Sequence, residues 1–187
     1  MITQKVFLSP VKISHISFLS GMLNFLYFYV FNDKNNKSKT LTEHKQHNMA
    51  GKTTFTMIKP NAVKNGHCGS ILHMINAAGF CLKGLKMMKM TPELAKKFYA
   101  VHKDRPFFND LVEYMCTGPI VAAVIKGENA VESFRSLIGS TDPKIASPDS
   151  IRGKYGESLQ MNAIHGSDSD ENAAKEIALI FSEDELF

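Results

Sequence analysis

In the stretch Thr53-Thr-Phe-Thr-Met-Ile-Lys-Pro60, β-forming residues run for six positions and stop at Lys59-Pro60. Proline lacks the N–H that a strand ladder needs, so the run reads as a strand whose end presents Lys59. Downstream, a turn around Asn65-Gly66 leads into Ser70 to Ala78, where Ile71, Leu72, Ile75 and Ala78 recur at helical spacing and Gly79 closes the helix. Phe80 to Met90 has apolar residues on alternate positions and reads as a second strand. Thr91-Pro92-Glu93 supplies an N-cap, a proline at the first helical position and an acid in the first turn, which predicts a helix through about Val101 carrying Tyr99. A further helix is expected from Pro106 to Met115. Ile120-Val-Ala-Ala-Val-Ile125 is a continuous apolar run of strand length, hence a buried central strand. Asn129 to Ile138 reads as a helix with Val131, Phe134, Leu137 and Ile138 inward and Arg135 outward.

From Gly139 to Gln160 the periodicity disappears, and loops this long in compact domains usually carry function. Asn162 to His165 reads as a very short strand, and Gly166-Ser-Asp-Ser-Asp-Glu171 offers caps for a last helix through about Phe181. The order β-α-β, helices, β-α, loop, β-α suits an α+β domain in which helices pack on an antiparallel sheet of the split β-α-β type.

Working back from Thr53, the composition changes near Met49. The chain has 187 residues, 44% apolar and 21% charged, which excludes wholesale disorder and a polytopic membrane protein. Residues 1–48 hold six Lys and two acids, leaving sixteen of each sign in residues 49–187. That neutral core does not suit a diffuse electrostatic grip on nucleic acid. Between Ile13 and Asn32 no residue is charged, and the run is apolar through Phe31. It has the length of a membrane anchor but is diluted by Ser14, His15, Ser17, Ser20 and Asn24. It has the basic start of a signal peptide but no small-x-small site after Phe31. The third reading, favoured here, is a leader translated from a misassigned start, with residues 49–187 as the folded domain. No membrane association is then expected, unless residues 13–31 are a real anchor. Three cysteines, an odd number without C-x-x-C spacing, fit a reducing compartment and a cytoplasmic protein.

A glycine cradle for phosphate is absent. Gly51-Lys52-Thr53 resembles the end of a Walker A motif, but Gln46 stands where its first glycine belongs, and no G-x-G-x-x-G occurs. His44-x-x-His47 lies in the leader without metal-site context, so no direct metal ligands are expected. The informative stretch is Asn162-Ala-Ile-His-Gly-Ser-Asp-Ser169. A histidine at a strand end, followed by glycine and a Ser/Asp cluster opening a helix, sits where free N–H groups and the helix dipole favour an anion.

Residues 49–187 resemble the nucleoside diphosphate kinase family along essentially their whole length. The resemblance rests on residues 53–60, Phe98-Tyr-Ala-Val-His102, Arg105-Pro-Phe-Phe108, Thr117-Gly-Pro119, Leu137-Ile-Gly-Ser-Thr-Asp-Pro143, Ile151-Arg152 and residues 162–169, in the family's order. It implies a ferredoxin-like fold and a ping-pong phosphoryl transfer from a nucleoside triphosphate to a nucleoside diphosphate, through a phosphohistidine at His165. It implies that Glu176 orients the other ring nitrogen and that Ser167 supports that carboxylate. By the same resemblance Lys59 and Tyr99 reach the transferring phosphate, and Arg135, Thr141 and Arg152 hold the other phosphates. Asn162 and Lys59 meet the ribose 3′-hydroxyl, and Phe107 stacks on the base. Mg2+ is expected on the nucleotide phosphates, and a homo-oligomer, tetramer or hexamer, is implied.

Two departures lie in the core: Asn61 where the family usually has Asp, which removes a charge near Lys59, and Pro148-Asp149-Ser150 in place of the commoner Gly-Thr before Ile151-Arg152. Two rival functions remain to be separated, an inactive nucleotide-binding homologue with a scaffolding role and a nucleic-acid-binding module.

Overall fold

The structure is a computed structural model that describes residues 51–187. The leader and its 13–31 apolar run lie outside the described residues. Strand β1 (Thr53–Ile58) is followed by helices α1 (Pro60–Lys64) and α2 (Cys68–Ala77), strand β2 (Cys81–Lys89), helices α3 (Pro92–Phe98) and α4 (Phe108–Met115), and strand β3 (Pro119–Lys126). Helices α5 (Ala130–Ile138) and α6 (Ile151–Tyr155), strand β4 (Ile164–Gly166) and helix α7 (Asp170–Ile180) complete the order.

The sheet runs β2-β3-β1-β4 with every neighbouring pair antiparallel. Strands β1 and β2 are therefore parallel to each other with β3 between them, which is the split β-α-β, ferredoxin-like arrangement. Every residue of β1 is buried, because helices cover both faces of the sheet and side chains alternate between them. Phe55 and Met57 pack with Phe98, Met115, Ile120 and Phe181 on one face. Ile58 packs with Ile71, Ile75, Phe134, Ile138 and Ile151 on the other. Each such side chain contributes about 1.5–3 kcal/mol by leaving water. A one-residue slip of β1 would exchange the two sets, so the register is strongly specified.

Local signals act as read. Thr91 Oγ1 accepts the Leu94 N–H at 3.2 Å to open α3, and Ser169 Oγ accepts the Asn172 N–H at 3.1 Å to open α7. Some boundaries differ from expectation. Helix α3 ends at Phe98, and a 3-10 turn over Ala100–His102 follows, so Tyr99 is the C-cap rather than a helix-interior residue. Helix α4 begins at Phe108, not Pro106, because the Phe108 N–H closes a turn on the Arg105 carbonyl at 3.0 Å and Phe107 becomes the N-cap.

Helices α1 and α6 fall in stretches read as turn and loop. At five residues each they are too short to show a hydrophobic period. The departure at 148–150 is accommodated by α6. Ser150 Oγ accepts the Gly153 N–H at 3.1 Å and donates to the Ser147 carbonyl at 2.6 Å, so it caps that helix. The last strand is Ile164–Gly166 rather than 162–165, because Ala163 has φ +68 and the Ile164 N–H bonds the Asn162 carbonyl at 2.8 Å. This γ-turn with positive φ is strained for alanine. Among the described residues no helix is long and apolar enough to cross a membrane.

Candidate active site

Pairing of β4 on β1 sets Met57 opposite His165 and Ile58 opposite Ile164. Thr56 Oγ1 adds a bond to the His165 carbonyl at 2.8 Å, and the Lys59 N–H donates to the Ala163 carbonyl at 2.8 Å. The end of β1, which carries Lys59, is thereby tied to the strand that carries His165. The γ-turn at Ala163 switches the chain between Asn162, which lines a cleft, and Ile164, which enters the core.

The imidazole sits among aromatic rings, with centroids 5.1 Å from Phe98, 6.1 Å from Phe55 and 6.5 Å from Tyr99. Its Nε2 lies 3.1 and 3.0 Å from the two carboxylate oxygens of Glu176, on the second turn of α7. An ionised carboxylate only accepts, so Nε2 is the protonated nitrogen and Nδ1 keeps its lone pair. Ser167 Oγ in turn donates to Glu176 Oε2 at 2.5 Å, and the serine is buried. Serine, carboxylate and imidazole form a chain that fixes the ring and its tautomer, with Nδ1 as the available nucleophile.

Around it opens a cleft of about 1020 Å³. Lys59, Tyr99, Phe107, Arg135, Thr141, Arg152, Asn162, His165 and Glu176 all line it; Ser167 does not, and stands behind Glu176. Every other residue that the sequence proposed for the site is thus brought to one cavity, from widely separated parts of the chain. Five cations line it, Lys59, Lys97, Arg135, Arg152 and Lys175, and among the described residues none of Lys59, Arg135 and Arg152 has a carboxylate within salt-bridge distance.

Among the described residues, Lys59 Nζ donates only to the Gln160 carbonyl, at 3.2 Å. Burial, with the Arg152 charge adding to it, pushes its ammonium down from 10.5 to about 7. Arg152 is held by bonds to the Ile164 carbonyl at 3.1 and 3.3 Å and to the Gly139 carbonyl at 2.9 Å; burial and then Arg135 lower its pKa to about 10. Among the described residues, the Tyr99 hydroxyl and Asn162 Oδ1 are buried with no hydrogen-bond partner. Burial, then the Glu176 charge, raises the Tyr99 phenol, so it stays a hydroxyl. Unpaired buried polar groups of this kind are unfavourable unless a ligand completes them. Phe107, by contrast, is 49% exposed at the mouth, with the His102 ring 5.7 Å away.

Sequence reasoning missed Leu159 and Gln160. Leu159 lines the cleft while 63% exposed, and Gln160 supplies the carbonyl that Lys59 holds. An exposed leucine in an aperiodic stretch is a weak signal, and a backbone carbonyl gives none. Among the described residues, no group of three or more His, Cys, Asp or Glu is placed to hold a metal ion.

A cationic cleft with a carboxylate-anchored histidine at its base, set on a ferredoxin-like sheet, defines a class of protein that handles phosphate anions. Residues 52–186 match the model of the family described as nucleoside diphosphate kinase. The chain is 53% identical over 139 residues to the nucleoside diphosphate kinase of Flavobacterium psychrophilum, which covers 74% of this chain and all of that protein. It is 45% identical over 138 residues to nucleoside diphosphate kinase 1 of Protochlamydia amoebophila, covering 74% of this chain and 98% of that one.

Among solved structures, the Aquifex aeolicus enzyme superposes with a TM-score of 0.71 at 46% identity, over 73% of this chain and 99% of its own. The Halobacterium salinarum enzyme in complex with CDP superposes with a TM-score of 0.71 at 42% identity, over 73% and 91%. The chain belongs to the nucleoside diphosphate kinase family.

Proposed function

We propose that this chain moves the terminal phosphoryl group of a nucleoside triphosphate to a nucleoside diphosphate in two half-reactions through His165. In the first, Nδ1 attacks the γ-phosphorus. The N–P bond forms as the bond to the β-phosphate bridging oxygen breaks, and the diphosphate leaves. In the second, a terminal oxygen of another diphosphate attacks the phosphohistidine, and Nδ1 departs with its lone pair restored. The observation that supports this best is the Nε2–Glu176–Ser167 chain, which leaves Nδ1 free in a cleft lined by Lys59, Arg135 and Arg152 among other cations. As the phosphorus bonds to Nδ1 the ring becomes cationic, and the Glu176 carboxylate stabilises that charge.

Phosphoryl transfer needs mainly positioning and compensation of charge on the phosphate oxygens. Lys59 and the Tyr99 hydroxyl serve the transferring group, while Arg135, Thr141 and Arg152 hold the remaining phosphates. Lys59 and Asn162 Oδ1 take the ribose 3′-hydroxyl. Phe107 presents a face to the base, which suits purines and pyrimidines alike because every base has a π-face. The donor set fits Mg2+ carried on the nucleotide: the cleft offers the carboxylates of Asp168 and Glu176, the second already engaged by His165 and Ser167. When bound, the ion neutralises charge on the phosphates. A cytoplasmic homo-oligomer, tetramer or hexamer, completes the reading.

Incubation with ATP labelled in its γ-phosphate tests it. Acid-labile label should appear on the protein and pass to GDP. His165→Ala should abolish both while nucleotide binding persists, and Glu176→Ala should retain more turnover than His165→Ala. A chain that binds nucleotide but takes no label would be an inactive homologue. DNA binding that survives added salt would favour the nucleic-acid module.

A further inference from the structure

We propose that Asn61, which is outside the cleft, is a positioning residue: its side-chain amide clamps the 157–162 segment onto the end of β1 and thereby sets Lys59 and Asn162 for transfer. The inference rests on the phosphoryl-transfer reading and adds a residue to it. Asn61 is 7% exposed and does not line the cleft. Its Nδ2 donates to Glu157 Oε1 at 3.1 Å and to the Met161 carbonyl at 3.2 Å, and its Oδ1 accepts the Tyr114 hydroxyl at 2.7 Å.

These partners determine the orientation of the amide. A carboxylate and a carbonyl only accept, so the NH2 must face them, and the Tyr114 O–H must then be the donor to Oδ1. Burial keeps that phenol protonated, at about 12. The side chain therefore uses both its donors and its acceptor, joining α1, α4 and the segment before β4.

The clamp bears directly on two proposed site residues. Lys59 lies two positions before Asn61, and its Nζ is held by the carbonyl of Gln160, inside the clamped segment. Asn162 follows Met161 directly. Asn65 Nδ2 reinforces the clamp on Glu157 Oε1 at 2.9 Å, and Gln160 Nε2 ties the same segment to the Asp110 carbonyl of α4 at 2.9 Å.

An aspartate at position 61 could still accept from Tyr114. It would have no proton for Glu157 or Met161, and it would set a second carboxylate within hydrogen-bond distance of the first. Asparagine at 61 is therefore matched to glutamate at 157. The chemistry makes the pair exchangeable, because glutamine at 157 could present its NH2 to an aspartate at 61, with the Asn65 amide turned so that its oxygen accepts the second N–H.

The test compares wild type, Asn61→Asp, Glu157→Gln and the double variant, with a ribonucleoside diphosphate and its 3′-deoxy analogue as acceptors, and records thermal midpoints. Asn61→Asp should lower kcat/KM for the ribonucleotide by about 10- to 100-fold, the usual penalty for misplacing reacting groups by about an ångström. The fall should be smaller for the 3′-deoxy acceptor, which has already forfeited the hydroxyl that Lys59 and Asn162 meet. Adding Glu157→Gln should recover activity towards wild type.

Equal losses for the two acceptors, a double variant no better than Asn61→Asp, or an unimpaired Asn61→Asp would each overturn the inference. Should Asn61→Asp fail to fold, Tyr114→Phe, which removes the hydroxyl that donates to Oδ1 and accepts the Asn61 backbone N–H at 3.4 Å, carries the same acceptor comparison. A wild-type chain that passes no phosphate would overturn the phosphoryl-transfer reading and this inference with it. An active wild type with indifferent variants would overturn this inference alone.

Discussion

Nucleotide binding should draw a proton from solution at pH 8, and Lys59 is its destination. Burial and the neighbouring Arg152 depress this ammonium from 10.5 to about 7. At pH 8 the nucleotide-free protein therefore holds it about one-tenth protonated. A phosphate beside it favours the charged form and returns its pKa towards the ordinary range. Uptake on binding a diphosphate should approach about 0.9 proton at pH 8, and the dissociation constant should rise about tenfold between pH 8 and pH 9.

Working above pH 7.5 keeps the terminal phosphate, whose last ionisation lies near about 6, out of the measurement. Titration calorimetry with ADP, in buffers of different ionisation enthalpy, reads the uptake as the slope of apparent against buffer enthalpy. Lys59→Arg keeps the positive charge without titrating, so its slope should vanish. A zero slope in the wild type at pH 8, or the same slope in Lys59→Arg, would refute the reasoning. The same shift has a sign in stability. Folded Lys59 releases its proton near 7 and unfolded Lys59 near 10.5, so the unfolded chain binds more protons in that window. Stability without nucleotide therefore gains from this group as pH rises from 7 to 10.5, and below 7 its full penalty is present.

Phe107→Ala should weaken all nucleotides together, by about 1–3 kcal/mol, with little change in thermal midpoint because the ring is half exposed; binding titrations with a purine and a pyrimidine diphosphate check it. Gly153→Ala should lower the thermal midpoint and loosen nucleotide binding. A Cβ there would overlap the Ser147 carbonyl oxygen, and the displaced turn carries Arg152, so calorimetry together with a binding assay reads both losses. Expression from Met49 should give a protein at least as active as the full chain, since the family match spans residues 52–186. Coupled assays of the two forms decide it, and a native protein that keeps its leader and sediments with membranes would favour the anchor instead.

Much of the fold was legible because its signals are local. Thr91-Pro92-Glu93 opens a helix wherever it stands, and the β-forming run over 53–58 ends in a proline that no central strand tolerates. The residues of the site were legible for a different reason: the histidine before Gly-Ser-Asp-Ser marks an anion site at a strand end, and the resemblance to the family supplied the others, Glu176 included.

What stayed hidden needed distant partners. Ala163 shows no glycine-like signal for its positive φ, which is imposed by the pairing of β4 on β1 and by the Lys59 bond to its carbonyl. Asn61 read as a missing charge next to Lys59. Only packing sets Tyr114, Glu157 and Met161 around it and turns that missing charge into an amide with all of its hydrogen-bonding groups engaged. The sequence by itself determined the longer elements, since propensity and capping act between neighbours in the chain, and its family motifs named the groups of the site. Tertiary structure alone decided which imidazole nitrogen is free, how far Lys59 is stripped of water and which residues hold its segment in place. Desolvation and hydrogen-bond partnership depend on atoms that the chain brings together only when it folds.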